Sequence, residues 1–178
     1  MPRLFTGLEI PGDVALRLSL LRGGLANARW VDEANYHITL RFIGDIDDRT
    51  ADAIVAELDG IIRHLPFEVT LTGLDAFGGG RPRAVFARVE PSRPLVDLAA
   101  DHERAMQRVG LAPESRKFTP HVTLARLRGP SSTSVAGFLA SRGGAFSPMS
   151  FEARRFVLYS SRASTGGGPY IVEQAWPL

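Results

Sequence analysis

A tetrad with the two-residue period of a strand occurs twice in this chain, as His37-Ile38-Thr39-Leu40 and, 84 positions on (121 − 37), as His121-Val122-Thr123-Leu124. Alternation of this kind puts the imidazole and the hydroxyl on one face and the two aliphatics on the other. The chain has four histidines and no cysteine, so half of its histidines lie in the repeat. A single His-x-Thr strand reads as an ordinary solvent-facing surface. Two copies in the same order, each near the middle of its half, point instead to a shared cleft. There two imidazoles and two hydroxyls surround one small polar substrate, one ring giving a proton while the other takes one.

The 178 residues are enough for one ample core, with roughly 70% of the unfolded surface available for burial. One domain, 1–178, of two small lobes sharing a cleft is the natural reading. No apolar run approaches the ~20 residues that span a bilayer, so no membrane segment is expected. The start, Met1-Pro2-Arg3-Leu4-Phe5, enters an alternating pattern directly with no signal-peptide core, which predicts a cytoplasmic protein. The absence of cysteine agrees with that location. A monomer is expected.

The net charge of +2 is unevenly shared, with −2 on residues 1–89 (10 Arg against 12 Asp and Glu) and +4 on residues 90–178 (11 Arg and Lys against 7 Asp and Glu). Twenty of the 21 basic residues are arginine, whose planar fork suits phosphate oxygens. Codon bias explains the same excess. The charge fits a nucleic-acid end and is too weak for a long phosphate-tracking groove.

Along the chain, residues 3–10 read as a strand stopped by Pro11-Gly12, followed by a helix with Val14, Leu18, Leu21 and Leu25 inward. Residues 36–43 form the first tetrad strand, closed by Gly44. Asp47 or Asp48 then caps a helix with Ile54, Leu58, Ile61 and Ile62 inward. Residues 67–77 and 83–90 read as a hairpin around Gly78-Gly79-Gly80-Arg81-Pro82. A helix runs from Pro94 to Val109 with Leu95, Leu98, Ala99, Ala105, Met106 and Val109 inward and Gly110 as its stop. Pro120 sets an extended entry to the second tetrad strand. A weaker helix over 131–139 and two strands, 151–160 and 170–176, complete the chain, the last two joined by a loop around Gly166-Gly167-Gly168. Neither glycine-rich loop has the Gly-Lys-Ser/Thr signature of a phosphate-binding loop. Both read as turns, with a lid role as the alternative. The fold class is α+β, a bilobal pseudo-twofold arrangement of two antiparallel sheets with outer helices and the active site in a central cleft.

At neutral pH an imidazole is near its ~6.5 pKa, so two of them supply base and acid without a metal. Threonine hydroxyls and a guanidinium can hold oxygens that gain charge in a phosphoryl transition state. Arg126 leads for the guanidinium. Strict alternation sends it to the face opposite His121, so this role needs a bulge or the strand's end there. Zinc wants three or four closely spaced ligands, which these histidines lack, and no metal or other cofactor is expected. His64 and His102 fall on predicted helix surfaces, where solvated histidines are the default. No Gly-x-Ser-x-Gly elbow supports a serine triad.

The runs Asn35-Tyr36-His37-Ile38-Thr39-Leu40-Arg41-Phe42-Ile43-Gly44 and Phe118-Thr119-Pro120-His121-Val122-Thr123-Leu124-Ala125-Arg126 resemble the 2H phosphoesterases. Within these the resemblance is nearest to the bacterial and archaeal RNA 2′,3′-cyclic phosphodiesterases, also described as 2′-5′ RNA ligases. It extends from Leu4-Phe5 and Pro11 to Tyr159, Ser161, Tyr170 and Trp176-Pro177-Leu178, the paired motifs being its specific part. It implies a bilobal α+β fold and metal-independent hydrolysis of a 2′,3′-cyclic phosphate at an RNA end to a 2′-phosphomonoester. By the same resemblance His37 is the proton donor to the departing 3′-oxygen, His121 the acceptor from water, and Thr39, Thr123 and Arg126 the phosphate-binding residues. Three alternatives stay open: 2′-5′ ligation, which uses the same histidines in reverse, opening of another small cyclic phosphate, and a non-catalytic RNA-end binding module. Retention of both histidines speaks against the last.

Overall fold

The computed structural model describes residues 3–61, 64–129, 132–161 and 168–178. In chain order it contains β1 (Arg3–Glu9), α1 (Gly12–Ser19), β2 (Ala28–Trp30), a 3-10 turn at Glu33–Asn35, β3 (His37–Asp45), α2 (Asp48–Asp59), β4 (Phe67–Phe77) and β5 (Ala84–Val89). These are followed by α3 (Arg93–Val109), β6 (His121–Leu127), α4 (Ser132–Gly144), β7 (Met149–Ala153), β8 (Arg155–Ser161) and β9 (Tyr170–Pro177). The strands form two sheets, β3-β1-β8-β9 and β2-β6-β5-β4-β7, and every pairing is antiparallel. The α+β, two-sheet reading of the sequence holds.

The sheets are not the two halves of the chain. The four-stranded sheet takes β1 and β3 from the start and β8 and β9 from the end, while the five-stranded sheet takes strands from both. The charge difference between residues 1–89 and 90–178 therefore belongs to no lobe. The segment read as one strand over 151–160 divides at Arg154, and β7 joins one sheet while β8 joins the other. Alternation continues on both sides of the break, which is why the sequence conceals it.

Helices cover the outer face of each sheet. On the four-stranded sheet α3 presents Leu95, Leu98, Ala99, His102, Ala105 and Met106, all buried, and ends at Gly110 with φ 103°. Beside it α2 starts where Asp47 accepts the Thr50 N–H at 2.7 Å and buries Ile54 and Leu58. Trp176 of β9 donates its indole N–H to Asp59 at 2.6 Å, joining this sheet to α2. On the other sheet α4 brings Phe138 against Trp30 of β2, ring centroids 5.7 Å apart. The first helix is shorter than its pattern: α1 ends at Ser19, and Leu25 is buried beyond Gly23 and Gly24, whose φ values of 100° and 76° lie outside helical geometry. Likewise β3 runs through Gly44 to Asp45. The expected hairpin is β4–β5, whereas Ile62, Ser131 and the loop at Gly166-Gly167 lie outside the described residues. Among the described residues no helix is long and apolar enough to cross a membrane.

Candidate active site

Each tetrad strand pairs with its neighbour in the same register. Against β1, His37 lies opposite Glu9, Ile38 opposite Leu8 and Thr39 opposite Gly7; Leu40 is then skipped, and Arg41 and Phe42 meet Thr6 and Phe5. Against β5, His121 lies opposite Arg88, Val122 opposite Ala87 and Thr123 opposite Phe86; Leu124 is skipped, and Ala125 and Arg126 meet Val85 and Ala84. A β-bulge thus falls at the fourth tetrad residue in both sheets. This shared irregularity is the structural form of the sequence repeat and of its pseudo-twofold relation.

The bulge decides which side chains face the cleft. Ile38, Leu40, Val122, Leu124 and Ala125 are buried toward the helices, while His37, Thr39, His121 and Thr123 are half-buried on the other face. The extra residue at Leu124 turns Arg126 back to the face of His121, which simple alternation denied it. In the first strand the same shift sends Arg41 outward, where it ion-pairs with Glu103 of α3 and donates to the Ala112 carbonyl at 2.7 Å. It also turns Phe42, 43% exposed, to the cleft at the position matching Arg126. The two walls are alike in backbone and unlike in chemistry.

Both imidazoles are held in the same orientation. His37 Nδ1 lies 2.9 Å from the Asn35 carbonyl, and His121 Nδ1 lies 2.7 Å from the Thr119 carbonyl. A carbonyl only accepts, so each Nδ1 carries the hydrogen and each Nε2 is left for chemistry. His37 Nε2 has Thr39 Oγ1 at 3.1 Å, a hydroxyl that can donate to the neutral ring or accept from the charged one. Aromatic rings fix the planes. Phe5 and Tyr170 lie 4.9 Å from the His37 ring, and Phe77 and Phe86, stacked at 4.1 Å, present their edges or faces to His121 at 4.8 and 5.2 Å. Asn35 serves twice, since its side-chain oxygen also accepts the Tyr170 N–H at 3.3 Å.

The electrostatics bring the three charged candidates together. Burial pushes His37 down to about 4 against the opposing hydrogen bond to Asn35, and the positive charges of His121 and Arg126 push the same way. His121 is also lowered, first by burial and then by Arg126. One guanidinium therefore acts on both rings. Both histidines thus favour the neutral, proton-accepting form.

Several residues here escaped the sequence reading. Arg88, opposite His121 and 3.9 Å from Asp75, lies over Gly73, where an added Cβ would come within 2.5 Å of its guanidinium. Phe5, Phe77 and Phe86 are marked only by strand register, which the sequence does not display. The two remaining histidines are not solvated. His64 bonds Asp101 at 2.6 Å with its side chain 15% exposed, and His102 is fully buried. His102 had a signal: it continues the 95, 98, 99, 106 stripe at helical spacing. Among the described residues no three His, Cys, Asp or Glu gather in a group able to hold a metal ion.

A family model described as the 2′-5′ RNA ligase superfamily matches residues 15–165. An Aeropyrum pernix protein named RNA 2′,3′-cyclic phosphodiesterase is 39% identical over 119 residues, 64% of this chain and 67% of its own length. One of the same name from Aquifex aeolicus is 29% identical over 157 residues, 84% of this chain and 81% of the relative. The crystal structure of Escherichia coli LigT complexed with 3′-AMP superposes with a TM-score of 0.76 at 25% identity, covering 100% of this chain and 99% of that one. Paired tetrads with a common bulge, the two-sheet fold and a family match over most of the length agree, and the chain belongs to the 2′-5′ RNA ligase superfamily.

Proposed function

We propose that the protein hydrolyses 2′,3′-cyclic phosphate ends of RNA to 2′-phosphomonoesters by two-histidine acid–base catalysis without a metal. The observation that carries this reading is the matched pair of Nε2 atoms, each ring pinned through Nδ1–H to a carbonyl, with Arg126 acting on both. The names of the relatives support the substrate class.

In this mechanism His121 Nε2 takes a proton from water as its oxygen attacks phosphorus. The bond from phosphorus to the 3′-oxygen breaks, and His37 Nε2–H protonates that oxygen, leaving the phosphate on the 2′-oxygen. Thr39, Thr123 and Arg126 hold the non-bridging oxygens, where charge-assisted donors stabilise the developing negative charge. The proton on His37 requires the bound phosphodiester, whose negative charge opposes the burial that favours the neutral ring. Arg126 stands on the wall of His121 while Phe42 takes the matching position on the wall of His37, so the two walls offer a phosphate oxygen different partners.

The test is turnover of a short RNA ending in a 2′,3′-cyclic phosphate, with excess chelator and with products resolved as 2′- or 3′-phosphate. We expect the 2′-phosphate at a rate that chelator leaves unchanged. A 3′-phosphate product would overturn the assignment of the leaving oxygen, and activity lost to chelator and restored by one metal would overturn the metal-free mechanism.

A further inference from the structure

The edge strand β2 lies against β6 in a register that sets Arg29 directly opposite Arg126, with Ala28 opposite Leu127 and Trp30 opposite Ala125. Trp30 packs on Phe138 of α4, on the helix side of the sheet, so its neighbour Arg29 projects from the opposite face, that of Arg126 and His121. Both arginines are exposed. Directly opposed residues of an antiparallel pair have Cβ atoms about 5 Å apart, so the two guanidiniums are within reach of neighbouring phosphates of one strand. On the other side of β6 the residue opposite Arg126 is Ala84, which is small and uncharged. A second cation thus flanks the first, on the same cleft face and on a strand supported by a helix.

We propose that Arg29 and Arg126 form a two-phosphate clamp, with Arg126 on the terminal cyclic phosphate and Arg29 on the phosphodiester that precedes it. This rests on the reading of the cleft as a cyclic phosphodiesterase and adds a preference for oligonucleotide ends over free nucleotides. A mononucleoside cyclic phosphate has no preceding phosphodiester and gains nothing from Arg29. A trinucleotide gains one charge-assisted contact.

The experiment compares wild type, Arg29→Ala and Arg29→Lys on cytidine 2′,3′-cyclic phosphate and on a trinucleotide ending in the same group. The expected result is that Arg29→Ala lowers the kcat/KM ratio of trinucleotide over mononucleotide about tenfold, with partial recovery in Arg29→Lys. An equal loss on both substrates places Arg29 on the terminal phosphate or in a structural role and overturns the proposal, as does an unchanged ratio. Titration of the two corresponding 2′-phosphate products makes the test independent of turnover. Trinucleotide affinity should fall in Arg29→Ala, with a salt dependence shallower by about 0.7 in log–log slope. Lost discrimination in binding with no turnover by wild type would retain the clamp and refute the hydrolytic reading; turnover by wild type with discrimination unaffected by Arg29 would do the reverse.

Discussion

His37 and His121 are given the same tautomer by the same device, a carbonyl two residues upstream, but not the same environment. His37, lowered to about 4, is buried and feels two positive neighbours, whereas burial and Arg126 are what lower His121. The proposed two-histidine mechanism needs a proton on one ring and none on the other. With both groups below their ordinary 6.5, the free protein holds that combination best on the acid side of 6.5. The pH profile of kcat/KM, which reports free protein, should therefore peak below 6.5, and the basic limb of kcat should lie at higher pH because a bound anion raises His37. Coincident profiles centred well above 7 would contradict this account. Substitution separates the roles. His37→Ala and His121→Ala should each lower kcat by at least ~10². Without the donor, the residual rate should keep only a rising limb, from deprotonation of His121. Without the acceptor, it should keep only a falling limb. Interchanged limbs would exchange the two assignments.

At the scale of the element, the bulged strand governs what the tetrad can do, and β1 sets how closely it is packed. A Cβ on Gly7 would sit 2.6 Å from the Ile38 carbonyl oxygen and 3.3 Å from the Tyr159 ring, so Gly7→Ala forces β3 away from β1 just where Thr39 pairs. We expect a loss of about 1–3 kcal/mol in stability, typical of overpacking, together with a fall in kcat. As a contrast, Gly137 lies within α4 where, among the described residues, nothing beyond its own helix backbone and chain neighbours comes inside 4 Å of an added Cβ, and Gly137→Ala should stabilise by about 0.5–1 kcal/mol. Equal midpoints in urea for wild type and Gly7→Ala would show that the strand yields freely. The elements also show what could be read in advance. The tetrads, α2 with its Asp47 cap, α3 with its Gly110 stop and the β4–β5 hairpin were legible because each follows from spacing and one terminal residue. Three features were not. The bulge at Leu124, on which the direction of Arg126 depends, has no signal in local composition. The short β2, which sets Arg29 opposite Arg126, is placed by long-range contacts, its pairing with β6 and Trp30 on Phe138, and the break at Arg154 is hidden because both flanking segments alternate.

Across the whole molecule, the interleaved sheets make acid stability a collective property, and His102 is its most buried contributor. The ring sits in the apolar stripe of α3, with Nδ1 2.8 Å from Thr6 Oγ1 of β1 and its face or edge 4.6 Å from Phe156 of β8, while Nε2 is buried without a hydrogen-bond partner among the described residues. It therefore joins the helix layer to strands from both ends of the chain. Burial pushes its pKa down to about 3. Between about 3 and the ordinary 6.5 the unfolded chain holds a proton on this ring that the folded one refuses, so stability falls as pH falls through that window. One such group contributes a slope of about 1.4 kcal/mol per pH unit. His37 and His121 add to it in the same direction. Replacing both members of the buried pair, Thr6→Val with His102→Phe, removes the titrating ring and leaves no orphaned hydroxyl, so the cost near pH 7.5 should be small. Urea unfolding between pH 6.5 and 5, above the range of the lowered carboxyls of Asp101, Glu103 and Glu114, isolates the histidines. The double variant should lose stability less steeply than wild type by about one proton's slope. An unchanged slope would mean that His102 takes up its proton within the folded protein, and that α3 moves away from β1 before the sheets separate.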